Sequence, residues 1–169
     1  DINPVAYNAV RAAFAKVTIP DVKRTYADID HSVGERVRSL YALNDGSTVM
    51  YYFWVKTVTC PLCYSSVDLF SNYVFSRNAY PSRHPEAHCL CPSCGDIFDC
   101  RYNSHDEICP SCSYRFDPQT GPARRITATC SSCNATFQIV RAVQACGRPP
   151  THRMYAKLVL TCNNQKEYR

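Results

Sequence analysis

Four copies of the pattern Cys-x-x-Cys lie between residues 60 and 133 of this 169-residue chain. They read Cys-Pro-Leu-Cys at 60–63, Cys-Pro-Ser-Cys at 91–94 and again at 109–112, and Cys-Ser-Ser-Cys at 130–133. The two-residue gap lets both sulfurs of a tight turn face one ion, so two such hooks make one tetrahedral four-thiolate zinc site. Four hooks therefore predict two zinc ions. The predicted ligands are Cys60, Cys63, Cys91, Cys94, Cys109, Cys112, Cys130 and Cys133.

The hooks favour structural zinc over the other uses of cysteine. A site with four thiolates leaves no open position for water, which a catalytic zinc needs. A disulfide framework is the alternative in a secreted protein, but cysteines only three residues apart rarely form a useful structural bridge. Thioredoxin-like redox chemistry needs one Cys-x-x-Cys at a helix N-terminus, not four copies among short strands.

The spacing of the hooks leaves their pairing open. In a sequential arrangement the first hook pairs with the second, and the third with the fourth. In a nested arrangement the second and third hooks form a compact inner site, and the first and fourth form an outer site around it. Closing the longer outer loop costs only slightly more entropy, so loop length does not exclude nesting.

Composition points to a reducing compartment and to an uneven charge distribution. The chain has twelve cysteines, no secretory signal and no apolar run long enough to span a membrane, so a cytoplasmic setting is expected. The formal charge of +5 falls to about +1 once the thiolates and zinc ions are counted. Residues 115–169 carry nine Lys and Arg against two Asp and Glu, which places the basic character in the last third.

Hydrophobic periodicity predicts an α+β fold. A helix is expected after Asn3 and Pro4 and is ended by residues 18–20, and a second is expected over 21–43 with a break near 30–32. Both carry apolar stripes that are typical of a core or packing face. The rest is expected to form short antiparallel strands. Residues 78–88 are expected to be a loop, and a polar tail is expected after the last strand. Strands are predicted over 48–59, 67–76, 96–102, 125–129, 136–143 and 152–161.

Several cysteines and histidines lie outside the hooks, and most are expected to be incidental. His88 and Cys89 adjoin the second hook, so they are candidates for a group that supports the ligands or replaces one of them. Cys100, Cys146, Cys162, His84 and His105 also lie outside the hooks.

Three segments resemble adenine-specific DNA methylases that carry a zinc ribbon inside the methyltransferase domain. The opening Asp-Ile-Asn-Pro-Val-Ala at 1–6 looks like the D-x-N-P-V-A segment that follows their glycine-rich cofactor loop. The run Tyr-Phe-Trp-Val-Lys-Thr-Val-Thr-Cys-Pro-Leu-Cys at 52–63 looks like the segment that leads into their ribbon. Ala-Thr-Cys at 128–130 and Arg-Met-Tyr-Ala-Lys-Leu-Val at 153–159 look like the segment that leads out.

The resemblance implies a double zinc ribbon with rubredoxin-like knuckles. Relatives with two hooks have those matching 60–63 and 130–133, which favours nested pairing. Residues 1–45 would then be a helical segment of the methyltransferase core, and residues 46–169 would be the insert. The outer ribbon would comprise 48–77 with 125–162, and the inner ribbon 88–118.

The resemblance also implies roles for S-adenosylmethionine and DNA. Asp1 would hold the ribose hydroxyls of the cofactor, with Asn3 beside it, while the glycine-rich loop and the catalytic D-P-P-Y-type motif would lie outside these residues. The chain alone is therefore expected not to catalyse methyl transfer, and the remainder of the methyltransferase domain is an expected partner. Methylation of an extruded base requires a module that grips the DNA backbone.

Basic residues in the last third are the candidate phosphate contacts, and Tyr155 is a candidate for stacking. The candidates are Arg124, Arg125, Arg141, Arg148, Arg153 and Lys157. The alternative is a purely structural or protein-interaction ribbon that makes no contact with nucleic acid. A zinc-hook chaperone domain fits less well, because the Gly-x-Gly that follows Cys-x-x-Cys in that type does not occur here.

Overall fold

The computed structural model describes residues 3–169 and has an α+β fold with few helices and mainly antiparallel strands. The chain divides into two compact units, residues 1–46 and Ser47–Arg169. Of the two residues proposed for cofactor binding, Asp1 lies outside the described residues. Within residues 3–169, no helix has both the length and the apolar character needed to cross a membrane.

The first unit is helical and begins as predicted. Helix α1 spans Pro4–Ala13, and the side chain of Asn3 caps it by accepting a hydrogen bond from the Val5 amide at 2.9 Å. Residues 18–20 were expected to end this helix, but Thr18 instead caps the next one. Its side chain and that of Asp21 form a reciprocal capping box, which fixes the start of α2.

The predicted break in the second helix is a π-helical segment. Helix α2 spans Ile19–Ile29, the π-helical turn spans Asp30–Gly34, and α3 spans Glu35–Ser39. An ion pair between Arg38 and Asp30 at 2.5 Å bridges this turn. None of the residues in these helical segments is buried, so the apolar stripe predicted as a core or packing face is exposed in this unit.

The second unit contains four antiparallel sheets and one helix, α4 (Ile139–Cys146). The strands are β1 (Thr48–Thr59), β2 (Ser66–Asp68), β3 (Val74–Phe75), β4 (Glu86–Leu90), β5 (Ile97–Arg101), β6 (Glu107–Ile108), β7 (Arg115–Phe116), β8 (Ala123–Arg124), β9 (Thr127–Thr129), β10 (Thr136–Gln138), β11 (Thr151–Leu160) and β12 (Lys166–Tyr168). In spatial order, the four sheets are β12-β11-β1-β2, β10-β9-β8, β3-β4-β5 and β6-β7.

The long strands β1 and β11 form the centre of the largest sheet. Their antiparallel register pairs Val49 with Val159 and Val55 with Arg153, and bulges shift it at two places. Val49, Val55 and Val159 are buried, because alternate side chains of β1 and β11 face the core. The prediction of a strand over 48–59 is confirmed.

Two strand predictions need correction. Residues 67–76 form two short strands, β2 and β3, separated by residues 69–73. The strand predicted over 136–143 ends at Gln138, and α4 follows. The residues Ile139, Ala142 and Val143 lie at helical spacing and pack one apolar face inward, although Ile and Val favour strands in isolation.

Two further segments differ from the prediction. The loop predicted over 78–88 is cut short because Glu86 already begins β4. The polar tail contains β12, which pairs with β11 and places Tyr168 opposite Leu158. Alternating polar and apolar residues over only three positions give too weak a pattern to predict such a strand.

Two connecting segments run side by side between the sheets. The Tyr73 amide donates to the Pro118 carbonyl at 2.7 Å, and the Gly121 amide donates to the Ser71 carbonyl at 3.0 Å. Gly121 has no room for a side chain, since an added Cβ would lie 2.2 Å from the Phe70 carbonyl oxygen. This close backbone approach joins the segment before the second hook to the segment before the fourth.

Candidate metal centres

The structure gathers the eight hook cysteines into two groups of four. The outer cluster is Cys60, Cys63, Cys130 and Cys133, and the inner cluster is Cys91, Cys94, Cys109 and Cys112. Within each cluster the sulfur atoms lie within 4.8 Å of one another. The hooks therefore have the nested grouping and not the sequential one.

The sulfur separations fit a tetrahedral metal ion. In the outer cluster Sγ of Cys60 lies 3.7 Å from Sγ of Cys133, and in the inner cluster Sγ of Cys91 lies 3.6 Å from Sγ of Cys112. Four sulfurs at about 2.3 Å from a central zinc are about 3.8 Å apart, whereas a disulfide joins its sulfurs at about 2.05 Å. All eight cysteines are free thiols. The two clusters can hold two metal ions, and four thiolates are the ligand set that zinc prefers.

All four hooks adopt one backbone conformation. In the first, the Tyr64 amide donates to the Cys60 carbonyl at 3.0 Å, and the same contact recurs in the other three at 2.9 Å. The residue after the second cysteine has a left-handed φ in every hook, namely 61° at Tyr64, 77° at Gly95, 60° at Ser113 and 57° at Asn134. This turn aims both sulfurs at one point, and only Gly95 adopts it without the steric cost of a Cβ.

The first cysteine of each hook is buried and the second is exposed. Cys60 and Cys130 are fully buried in an apolar cluster with Val58, Val67 and Ala128. The outer cluster is therefore part of the core that joins β1 and β2 to β9. A metal ion held by this cluster would crosslink that core.

Hydrogen bonds to sulfur lower the pKa of one thiol in each cluster, whereas burial and neighbouring thiols raise the pKa of Cys94 and of Cys133 to about 12. The Ser65 hydroxyl lies 3.0 Å from the Cys63 sulfur and 3.1 Å from the Cys130 sulfur, and this contact lowers the pKa of Cys130 to about 6. In the inner cluster, the Tyr114 backbone amide lowers the pKa of Cys112 to about 7. Both thiols ionise more readily than an ordinary cysteine.

Two serines that no sequence pattern predicts support the clusters. Ser65 bridges two hooks of the outer cluster, as described above. Ser111, inside the third hook, donates to the Asp96 carboxylate at 2.6 Å and so ties the third hook to the second. Serine is common in turns, so only the spatial arrangement distinguishes these two from the others.

His88 and Cys89 lie outside both clusters. Cys89 is fully buried beside Cys100, and that neighbouring thiol, together with burial, raises the pKa of Cys89. The His88 ring packs against Tyr168 with 4.1 Å between ring centroids, and Nε2 lies 3.2 Å from the Asp99 carboxylate. Its Nδ1 atom is buried and has no hydrogen-bond partner among the described residues.

The other cysteines and histidines outside the hooks are also not in the clusters. Cys146, Cys162 and His84 are exposed, and His105 lies 3.4 Å from the Asp117 carboxylate. Each metal centre is therefore built from hook cysteines alone among residues 3–169.

Two of the six basic candidates lie at one hairpin tip, and a third lies on the helix that the tip contacts. Arg124 and Arg125 lie at the turn between β8 and β9, where Arg125 has a φ of 54°. The carbonyl of exposed Ile126 accepts a hydrogen bond from the Ile139 amide at 3.0 Å, which holds the tip against the start of α4, the helix that contains Arg141. The three arginines are exposed, and none has a carboxylate partner within residues 3–169.

The remaining basic candidates lie elsewhere. Arg148 is exposed after α4, and Lys157 is half-buried on β11. Arg153 pairs with Asp68 of β2 through two of its nitrogens, with Nε 3.1 Å from Oδ2. Asp68 holds the Arg153 side chain, whose pKa it raises.

Comparisons with protein-family models, with curated proteins and with solved structures find no match for this chain. The resemblance to zinc-ribbon DNA methylases therefore stays a prediction. Asn3, the described member of the proposed cofactor-binding pair, uses its side chain to cap α1.

Proposed function

We propose that this chain is the double zinc-ribbon part of an S-adenosylmethionine-dependent DNA adenine methyltransferase and helps that enzyme hold DNA. The methyltransferase part of the proposal rests on the resemblance of the three sequence segments. The DNA contact is supported by the hairpin tip with Arg124 and Arg125, two exposed arginines shortly before the fourth hook. Cys130 anchors the strand that follows the tip, and the exposed guanidinium groups on the tip are suited to binding phosphates.

The metal ions have a structural role in this proposal. Zinc in the outer cluster fixes β9 and therefore the hairpin tip, while zinc in the inner cluster fixes residues 91–112. Neither cluster leaves a coordination position for water or substrate, so methyl transfer depends on residues elsewhere in the enzyme. The resemblance assigns Asp1 to the cofactor ribose.

The exposed apolar side chains of the helical unit support a further partner within the same enzyme. Phe14 is 85% exposed and Ile19 is 73% exposed, although both are large apolar residues. In this proposal they pack against the remainder of the methyltransferase domain, because a row of such residues is costly to leave in water.

A salt series on DNA binding tests the proposal. The zinc-loaded chain should bind duplex DNA with an affinity that falls steeply as salt rises, since each phosphate contact contributes about −0.9 to the slope of log K against log salt. The double variant Arg124→Glu/Arg125→Glu should make that slope shallower by about 2. Arg77→Glu/Arg83→Glu, at two exposed positions outside the tip, makes the same charge change; it is the matched control and should change the slope little.

The outcome separates the two classes of function. Equal slopes for the double variant and the control would reject the tip as a DNA contact. A chain that binds no DNA at low salt would favour the structural or protein-interaction ribbon.

A further inference from the structure

An open cleft of about 850 Å³ lies between the two clusters. Parts of the chain next to all four hooks line it. Ser66 follows the first hook, Ser93 lies within the second, Tyr114 follows the third and Ser131 lies within the fourth. The metal centres therefore fix the walls of this cleft.

Aromatic rings form much of the cleft wall. Phe70 and Tyr155 meet edge to face with their centroids 5.0 Å apart, and Tyr73 meets Phe116 in the same way at 6.0 Å. Tyr114 lies nearly parallel to Phe116, with an angle of 23° and a centroid distance of 6.1 Å. Tyr114 is 48% exposed, so it offers a ring to which a further planar group can add.

The charged groups in the lining balance one another. Two guanidinium groups, those of Arg115 and Arg153, line the cleft. Each is held in place by a two-pronged ion pair, Arg115 with Asp106 and Arg153 with Asp68. The carboxylates of Asp68 and Asp117 line the cleft as well, so its lining has no net positive charge and suits a neutral ligand.

The same lining suits a nucleotide. Arginine and serine groups donate hydrogen bonds, and the carboxylates of Asp68 and Asp117 accept them. A nucleobase is planar, neutral and edged with both donors and acceptors. The cleft is larger than one base, which leaves room for the attached sugar and phosphate.

We propose that the cleft between the outer and inner clusters binds an unpaired nucleobase, stacked on Tyr114. This inference rests on the proposed function for its choice of DNA as the source of the base, and it adds a site for the base to the phosphate contacts of the hairpin tip. An enzyme that extrudes a base creates unpaired bases, and aromatic platforms hold them regardless of sequence.

Titration with a nucleoside tests the cleft without any phosphate. The probe is 2-aminopurine deoxyriboside, whose fluorescence is quenched on stacking, added to the full zinc-loaded chain. Saturable quenching with a dissociation constant on the order of millimolar is expected for one stacked base. Tyr114→Ala should weaken it roughly tenfold, whereas Tyr114→Trp should retain it. Tyr80→Ala is the matched control, because Tyr80 is 68% exposed and does not line the cleft.

Zinc content of two ions per chain in every variant shows that the fold is intact. Equal quenching with Tyr114→Ala and with the wild-type chain would overturn the inference, as would the absence of saturable quenching. Displacement of the nucleoside by tetramethylammonium would also overturn it, because a cation site would then be present.

The nucleoside titration tests the cleft and the DNA salt series tests the hairpin tip, so either proposal can be rejected without the other. A steep salt slope without nucleoside binding would leave the proposed function standing and reject the cleft. Nucleoside binding without DNA binding would support the cleft as a base site and reject the phosphate contacts of the tip.

Discussion

Sγ of Cys60 lies 3.7 Å from Sγ of Cys133, although 73 positions separate the two residues in the sequence. Between them lies the inner cluster, in which Cys91 and Cys112 are only 21 positions apart. One metal-binding unit is thus inserted into another. The outer cluster is completed only by the fourth hook, which follows the inner cluster in the sequence.

Paired cysteine variants distinguish nested from sequential clusters. Cys63→Ser/Cys133→Ser removes two ligands of the outer cluster, so one tightly bound zinc should remain in the inner cluster. In a sequential arrangement the same two changes would damage both sites. Zinc content after gel filtration measures the difference, and no tightly bound zinc in this variant would contradict the nested structure.

A second pair of variants controls for the number of substitutions. Cys63→Ser/Cys112→Ser removes one ligand from each cluster and should leave neither site with four thiolates. Cys146→Ser/Cys162→Ser changes two exposed cysteines outside both clusters and should keep two zinc ions.

The close backbone approach at Gly121 gives a second prediction. Gly121→Ala places a Cβ 2.2 Å from the Phe70 carbonyl oxygen, so the two connecting segments must move apart. Overpacking of this kind costs about 1–3 kcal/mol. Urea unfolding should show that loss, while the inner cluster keeps its metal. An unchanged unfolding midpoint would show that these segments are not in contact.

The burial of His88 predicts that the folded chain loses stability in mild acid. Burial lowers the pKa of His88 below its ordinary value of 6.5, because its charged form is poorly solvated there. The unfolded chain then binds a proton more readily than the folded chain. Stability should therefore fall as pH drops below about 6.5, and the loss should continue until His88 is protonated in the folded state.

The variant His88→Gln isolates that contribution from acid release of zinc. Both proteins lose metal in acid through the same cysteines, so the difference between their unfolding free energies reports His88 alone. The wild-type chain should lose more stability than His88→Gln between pH 7.5 and pH 5.5. Parallel pH profiles would show that His88 titrates as it does in the unfolded chain.

The ion pair between Asp68 and Arg153 determines whether Arg153 can contact phosphate. Asp68→Asn removes the carboxylate charge that holds Arg153, so DNA affinity at low salt should rise and the salt slope should steepen by about 0.9 if one phosphate contact is gained. Asp99→Asn makes the same charge change at an exposed residue. Equal gains in both variants would show a general charge effect and would exclude Arg153 as a specific contact.

The metal ligands and the first strand could be predicted from the sequence, because a short local segment determines each of them. Each hook is a local turn, so Cys-x-x-Cys identified the ligands, and the β-branched and aromatic run at 48–59 identified β1. Helix α4 was missed because Ile139 and Val140 favour strands, while burial of Ala142 favours the helix. Tertiary packing decided between the two.

The features that sequence reasoning missed depend on distant residues. Ser65 acts on Cys130, and Tyr168 of the polar tail packs on His88, across long stretches of chain. The cleft likewise combines residues from Ser66 to Tyr155. No local pattern marks such contacts, because they arise only when the hooks bring separate segments together.

Metal analysis of the purified chain tests the central claim most directly. Two clusters of four thiolates should hold two zinc ions per chain, and all eight hook cysteines should resist alkylation until a chelator is added. A zinc content near zero, with the hook cysteines found in disulfides, would contradict the account.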